Sequence, residues 1–183
     1  MERIHSNQNQ KILKYFFIII LGTLMLTISA KIKIPFYPVP MTMQTFVVLF
    51  LGITFGYKIG LATITVYLLE GILGLPVFSN SPEKGVGLVY FTGPTMGYLI
   101  GFLSAVFFAG YFKYGDNLLK NFIKIILSVS SIYILGFLWL GILIGWDKPI
   151  FEFGVKPFIL AELLKVSILT FLASKLVSLR KSI

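Results

Sequence analysis

The sequence contains no cysteine and a single histidine, which excludes several kinds of chemistry. Without cysteine the chain forms no disulfide, no thiolate nucleophile and no cysteine-based metal site. The histidine, His5, belongs to a polar N-terminal tail, residues 1–10, where we expect it to bind no metal and to have no catalytic role. The phosphate loop G-x-x-x-x-G-K-[ST], the zinc motif H-E-x-x-H and the serine elbow G-x-S-x-G are also absent. The sequence therefore predicts neither an enzyme nor a protein that binds ATP in the usual way.

Charged residues are scarce. Asp, Glu, Lys and Arg make up 13% of the 183 residues, whereas hydrophobic residues make up 57% and the mean hydropathy is +0.91. This composition predicts an integral membrane protein surrounded by the lipid bilayer. The 16 basic residues outnumber the 7 acidic ones, but they flank apolar runs, so membrane topology explains them without a nucleic-acid partner. We expect a multi-pass protein of the cell membrane.

The apolar runs predict an all-α fold of six transmembrane helices in one bundle, forming a single domain over residues 1–183. A loop with three prolines, residues 31–40, separates the first two helices, because proline cannot continue a helix. The next apolar block is broken at residues 56–60 (GYKIG), and the first of its two short pieces leaves a re-entrant arrangement open. The predicted spans are residues 12–30, two spans within 43–78, then 93–112, 122–145 and 157–177.

The basic residues also predict an orientation. With six spans, ten basic residues fall in the segments on the side of the two termini and five in the loops on the opposite side. Because positively charged loops tend to stay in the cytoplasm, we expect both termini there. The proline loop, a polar loop at residues 79–86 and a third loop at residues 146–156 then face outward, where an external substrate is captured.

Two charged residues, Glu162 and Lys165, lie inside the last apolar span. Each charge at mid-membrane depth costs about 2.5–3.5 kcal/mol on insertion scales, so some interaction must offset that cost. At i,i+3 spacing the two side chains share one helix face and are able to pair with each other. One interpretation is a structural ion pair inside the bundle, and the other is a polar ligand site.

Glycines recur every four residues in two places, which predicts close approach of helices. We expect these glycines to build the bundle and not to contact a ligand. The first set is Gly52, Gly56 and Gly60, and the second set is Gly93, Gly97 and Gly101.

Four segments follow one another in the order and spacing of a known family. They are residues 38–45 (PVPMTMQT), 71–78 (GILGLPVF), 93–102 (GPTMGYLIGF) and 157–165 (PFILAELLK). In this combination the chain resembles the BioY family, the biotin-specific S components of energy-coupling factor transporters, over nearly its whole length. The resemblance implies a six-helix membrane subunit that binds biotin with high affinity on its outward side, with biotin as the transported ligand and no cofactor. It also implies partners, namely a transmembrane coupling subunit and two cytoplasmic ATP-binding cassette ATPases.

The last of these segments carries the motif that contacts the ligand in the family. There it reads Gly-Asp-x-x-Lys, and its acid and lysine fall on Glu162 and Lys165 of this chain. The chain has Ala161-Glu162 in place of Gly-Asp, which sets the carboxylate one methylene further from the backbone. We expect a slightly reshaped pocket as a result.

The chemistry of biotin adds three candidate residues. Biotin has two ureido N–H donors, a ureido oxygen, an apolar thioether ring and a carboxylate on a flexible tail, which a carboxylate and a lysine are able to recognise. Gln44 offers a donor and an acceptor beside the proline loop, and Asn80 offers the same unless it is a solvated turn residue. Tyr98 either stacks on the ring or only packs in the bundle. We expect the proline loop to act as a lid over this pocket.

Two functions of other classes fit the same buried charges. One is a stand-alone proton-coupled carrier that uses Glu162 as its proton site, and the other is a small intramembrane enzyme or assembly factor. A carrier moves its substrate without ATPases and an enzyme consumes its substrate, whereas an S component does neither efficiently. Binding of water-soluble vitamins by the purified chain separates these alternatives.

Overall fold

The computed structural model describes the backbone of residues 2–181 and the side chains of residues 10–180, so the side chain of His5 lies outside the described residues. Within this range the chain forms six α-helices, two short 3-10 helices and one two-stranded sheet. The helices are α1 (Glu2–Lys31), α2 (Gln44–Ile72), α3 (Met96–Tyr111), α4 (Leu118–Ile144), α5 (Ile150–Gly154) and α6 (Ile159–Lys181). The 3-10 helices are Gly87–Thr92 and Lys156–Phe158, and the strands are β1 (Lys33–Ile34) and β2 (Met41–Thr42).

Most of the helical chain is suited to a membrane. By length and composition, four helical stretches are long and apolar enough to cross one, and α3 is a shorter apolar helix. The expected helical membrane fold is therefore confirmed at this level. The polar segment at residues 1–10, predicted as a tail, continues the first helix because α1 begins at Glu2. The four long stretches are Gln10–Lys31, Gln44–Ile72, Leu118–Ile144 and Ile150–Arg180.

Helix α2 is a helical hairpin and not one straight helix. At Gly56 the backbone has φ 80° and ψ 169°, far from helical values. Gln44 Nε2 donates to Tyr67 Oη over 2.8 Å. In a straight helix these two residues would lie about 35 Å apart, so the chain must turn back between them. A Cβ placed on Gly60 would lie 3.6 Å from Cα of Gly52, so the two halves run side by side. The predicted break in this apolar block is confirmed and occurs at Gly56.

Helix α3 packs directly on α4 through two of the predicted glycines. A Cβ on Gly97 would lie 2.5 Å from the carbonyl oxygen of Leu135. A Cβ on Gly101 would lie 2.6 Å from Cα of Ile132. A side chain at either position would push the helices apart, so the geometry agrees with the packing role expected of small residues between membrane helices.

The connections between helices lie at two opposite ends of the bundle. At one end, the guanidinium of Arg180 in the last turn of α6 donates to the carbonyl oxygen of Gly110 over 3.0 Å and contacts Gly56 at the α2 corner. At the other end, β1 and β2 pair antiparallel, so the predicted proline loop is the tip of a small hairpin. This β-hairpin contacts the loop after α2, where Lys33 Nζ donates to the carbonyl oxygen of Ser79. It also contacts the 3-10 helix after α5, where the ring centroids of Phe36 and Phe158 are 6.2 Å apart. The candidate site lies at this second end.

Candidate ligand-binding site

Glu162 and Lys165 form a buried ion pair on α6. The two residues are 6% and 4% exposed, and Lys165 Nζ lies 2.7 Å from Glu162 Oε1. The same Nζ donates to the carbonyl oxygen of Thr42 over 2.7 Å and to Thr45 Oγ1 over 3.0 Å. An ammonium group has three N–H donors, so Lys165 is fully hydrogen-bonded within the protein.

The carboxylate of Glu162 is only half satisfied. Its Oε1 accepts hydrogen bonds from Lys165 Nζ and from Thr45 Oγ1, each over 2.7 Å. Its Oε2 is buried and has no hydrogen-bond partner among the residues that the structure describes. A buried acceptor without a partner costs about 1–3 kcal/mol, and more when it is charged. This oxygen is therefore a position for a hydrogen-bond donor, and the hydroxyl group of Tyr133 lies near enough to interact with the same carboxylate.

Glu162 lines two cavities. One, of about 570 Å³, is mostly apolar and lies between α4, α5 and α6. The other lies between the β-hairpin and helices α2, α3, α4 and α6. Its volume is about 50 Å³. Pockets for small molecules usually enclose about 300–1,000 Å³, so this cavity has to widen before it admits such a ligand. Aromatic side chains dominate the wall and provide flat apolar surfaces for a ring system. They are Phe78, Tyr90, Tyr98, Phe102, Tyr133 and Phe158.

Gln44, selected from the sequence, lines this cavity at the first turn of α2. Its Nε2 donates to Tyr67 Oη over 2.8 Å, and its Oε1 accepts from Thr42 Oγ1 over 3.3 Å. Tyr67 in turn donates to the carbonyl oxygen of Val77 over 2.9 Å. The amide therefore connects the two halves of α2 to the loop beyond them, and a ligand that binds it has to compete with these partners.

Tyr98 also lines the cavity, with its ring held in place from three sides. Its hydroxyl group donates to the carbonyl oxygen of Gly154 over 2.8 Å. A Cβ on Gly136 would lie 2.5 Å from Cδ1 of the Tyr98 ring, so the glycine on α4 leaves room for the aromatic face. Tyr133 meets the same ring edge-on, with centroids 6.0 Å apart. Tyr98 is thus a fixed wall whose hydroxyl is already used.

Asn80 lines neither of the two cavities that Glu162 lines. Its Oδ1 accepts a hydrogen bond from Lys33 Nζ over 3.2 Å, and its backbone N–H donates to Tyr90 Oη over 3.4 Å. It lines a neighbouring pocket of about 30 Å³ together with Tyr90 and Thr95. Tyr90 and Thr95 also line the cavity between the β-hairpin and Glu162, so a single layer of side chains separates Asn80 from that cavity.

Two residues of this site were not selected from the sequence. Thr45 binds both members of the ion pair, and Tyr133 on α4 lines the cavity beside Glu162. The available signal for Thr45 was its place directly after Gln44 in the segment at residues 38–45. No pattern in its apolar surroundings marks Tyr133.

The proline loop forms one wall of the cavity through Val39 and Pro40. Lys31, where α1 ends, ties this region to the loop after α2. Its Nζ donates to the carbonyl oxygens of Phe78 and Ser81 over 2.8 and 2.7 Å. A cover held by a few polar contacts is consistent with the lid expected from the sequence, and its opening stays a prediction.

The described side chains contain no group of three or more His, Cys, Asp or Glu residues that could hold a metal ion. The polar groups that line the cavity beside the β-hairpin include the carboxylate of Glu162, the amide of Gln44 and several hydroxyl groups. Such a set recognises a neutral or polar organic molecule through hydrogen bonds.

Comparison with known proteins relates this geometry to a family. Residues 4–182 match the BioY family. The chain belongs to the BioY family. Among its relatives, the probable biotin transporter BioY of Pyrococcus horikoshii is 33% identical over 150 residues, which cover 82% of this chain and 88% of that protein. The biotin transporter BioY of Thermotoga maritima is 32% identical over 155 residues, covering 84% and 90% of the two chains.

A solved structure supports the same relationship. The crystal structure of the S-component for biotin from an ECF-type ABC transporter superposes with a TM-score of 0.76 at 25% sequence identity. The match covers 92% of each chain. The chain therefore has the fold of that S-component over most of its length.

Proposed function

We propose that this chain captures biotin with high affinity and carries it across the membrane as the S component of an ECF-type ABC transporter. The family membership and the names of its relatives support biotin as the ligand. The observation that carries the proposal is the buried Oε2 of Glu162, an acceptor without a partner beside a cavity with aromatic walls. The proposed role is binding and translocation, without a catalysed reaction.

The two faces of biotin fit two features of the cavity. A ureido N–H group supplies the donor that Glu162 Oε2 lacks, and a charge-assisted bond of this kind is stronger than a neutral one. The bicyclic ring packs against the aromatic wall that includes Phe78, Tyr90 and Tyr98. Gln44 and Asn80 then join the site once the cavity widens towards the β-hairpin.

Lys165 acts in this proposal chiefly through Glu162. All three of its N–H donors are used within the protein, so it has none to offer a ligand without giving one up. The contact to the Thr42 carbonyl oxygen is the one that movement of the β-hairpin would release. Lys165 Nζ lies 2.7 Å from Glu162 Oε1 and supplies the opposite charge beside the carboxylate.

We further propose six membrane crossings with both termini in the cytoplasm. The crossings are α1, the two halves of α2, α3, α4 and α6. The first half of α2, residues 44–55, is about 18 Å long, so the bilayer has to thin there or the α2 corner has to lie within the protein. The ten basic residues at the end with the termini, against five at the other end, favour this orientation. Energy then comes from a coupling subunit and two cytoplasmic ATPases, because the chain has no phosphate loop.

Calorimetric titration of biotin into the purified chain tests the proposal. We expect Glu162→Gln to weaken binding by about tenfold to over a hundredfold, because a hydrogen bond to a charged group is worth about 1.5–3 kcal/mol. Glu152→Gln is the matched control, since this carboxylate at the same end is exposed and pairs only with Lys156. Wild-type affinity in Glu162→Gln would contradict the proposed site.

A double variant separates ligand binding from a structural ion pair. Glu162→Gln with Lys165→Met removes both buried charges together, which often leaves stability unchanged or improves it. If the pair only stabilised the bundle, the double variant would bind biotin at wild-type affinity. We expect its affinity to stay as low as that of Glu162→Gln, while its unfolding temperature shows that it is folded.

The proton-coupled carrier remains the alternative because an unpartnered carboxylate oxygen is also a place for a proton. The match to the BioY family and to the S-component for biotin favours the S component. Accumulation of biotin by the purified chain alone, in liposomes with an imposed proton gradient, would favour the carrier.

A further inference from the structure

A second, basic cavity lies at the end of the bundle opposite the candidate site. Its volume is about 300 Å³, and it is bounded by α1, the corner of α2 and the last turns of α6. It shares no lining residue with the cavity beside Glu162. Its lining residues are Tyr15, Phe55, Tyr57, Lys58, Ile59 and Arg180.

The two cations of this cavity have no acidic partner among the described residues. None of the salt bridges found there involves Lys58 or Arg180. Arg180 uses Nη1 for the Gly110 carbonyl oxygen, and Lys58 is exposed. Glu2 and Asp116 are the acidic residues in the segments at this end, against ten basic residues, so the local field attracts anions.

The position of the cavity points to a lipid and not to a free ion. Tyr15 lies six residues into the apolar stretch Gln10–Lys31, and aromatic residues of this kind mark the level of the lipid head groups. The outer face of α1 beside it is apolar and exposed, with Ile12 66% and Phe16 58% accessible. A molecule with an anionic group and long apolar chains would satisfy both surfaces at once.

We propose that this cavity binds the head group of an anionic phospholipid, with its acyl chains lying along the exposed face of α1. The phosphate accepts hydrogen bonds from the Lys58 ammonium and from the free N–H groups of Arg180. The hydroxyl groups of Tyr15 and Tyr57 are available donors to the remaining oxygens. The bound lipid connects α1, the α2 corner and α6, three elements that are distant in sequence.

Titration of phosphatidylglycerol into the detergent-solubilised full chain tests this site, with retained lipid counted by native mass spectrometry. We expect tighter retention of phosphatidylglycerol than of zwitterionic phosphatidylcholine. Lys58→Gln should weaken retention about fivefold, the effect of one cation near a lipid surface. Lys120→Gln is the matched control, because Lys120 is exposed in the first turn of α4 at the same end and does not line the cavity. Its retention should equal that of the wild type.

Four results would overturn the proposal. Equal retention of the two lipids would show that the cavity has no preference for an anion. Equal losses in Lys58→Gln and Lys120→Gln would show a diffuse effect of surface charge. Displacement of the lipid by inorganic phosphate at the same concentration would identify a free-anion site. A Lys58→Gln variant that retains lipid normally but assembles poorly with the coupling subunit would identify a protein contact.

Discussion

The hydroxyl group of Thr45 determines which oxygen of the Glu162 carboxylate remains open. It donates to Oε1 over 2.7 Å and accepts from Lys165 Nζ over 3.0 Å, so it binds both members of the ion pair. With Oε1 occupied twice, Oε2 is the oxygen left without a partner. Thr45 is therefore a positioning residue, whose effect on a ligand passes through Glu162.

We expect Thr45→Val to weaken biotin binding by about tenfold. The change removes two buried hydrogen bonds, each worth about 0.5–1.5 kcal/mol, and lets the carboxylate rotate away from the cavity. Thr45→Ser keeps the hydroxyl group and should keep wild-type affinity. If Thr45 acted only through its bulk, loss of the methyl group in this variant would weaken binding. Calorimetric titration measures both variants. Wild-type affinity in Thr45→Val would mean that Thr45 only packs between α2 and α6.

The charged pair was visible in the sequence, whereas the hydroxyl group that orients it was not. Glu162 and Lys165 stand out because a charge in an apolar run has a large energetic cost. A threonine in a helix has no such cost, since its hydroxyl group is able to bond to the backbone of the preceding turn, as Thr63 does here. Apart from its place directly after Gln44, nothing distinguishes Thr45 from Thr63 until the fold brings α2 against α6.

At the level of the elements, the corner at Gly56 allows one apolar segment to form two helices. Its backbone, with φ 80° and ψ 169°, lies in a region that is essentially restricted to glycine. The guanidinium of Arg180 also packs where a Cβ of residue 56 would lie. Backbone conformation and packing therefore both require glycine at this corner.

We expect Gly56→Ala to lower the unfolding temperature by several degrees. The backbone strain costs about 1–3 kcal/mol, and each kcal/mol shifts the midpoint of a chain of this size by about 2–4 °C. Gly74→Ala tests the strain alone, because Gly74 has φ +96° and no atom within 4 Å of a new Cβ. Gly115→Ala tests neither effect, because its surroundings are equally open and its φ is not positive. The midpoints should fall in the order Gly115→Ala, Gly74→Ala, Gly56→Ala, and any other order would contradict this account of the corner.

The long helices were predictable from hydropathy, but their ends were not, and the short helix α5 lies within the predicted loop at residues 146–156. Helix α4 begins at Leu118, before the predicted residue 122, because Asn117 caps it by accepting a hydrogen bond from the Lys120 backbone N–H over 2.9 Å. An average over apolar residues does not detect such a polar cap. The β-hairpin was missed for a related reason, since strands of two residues are too short to show an alternating pattern.

At the level of the whole molecule, the two ends of the bundle differ in chemistry. One end holds a cavity with aromatic walls beside a buried carboxylate, and the other holds a cavity lined by two cations, Lys58 and Arg180. The sequence predicted which connections share an end, because the number of spans determines how they alternate. The meeting of α2, α4 and α6 around Glu162 depends on packing between distant segments, which hydropathy does not report.

The orientation of these two ends in the membrane is testable because the chain has no cysteine. Ser81, in the polar loop at the end that holds the site, is only 1% exposed and would label poorly, so Glu83→Cys is the better probe there. Asp116→Cys is its matched partner, since Asp116 is an exposed acidic residue in the connection between α3 and α4. On intact cells, a membrane-impermeant maleimide should label Glu83→Cys and should reach Asp116→Cys only after the membrane is opened.

The reverse pattern would place the Glu162 cavity on the cytoplasmic side, where it could not capture biotin from outside. Labelling of both probes on intact cells would contradict a single orientation.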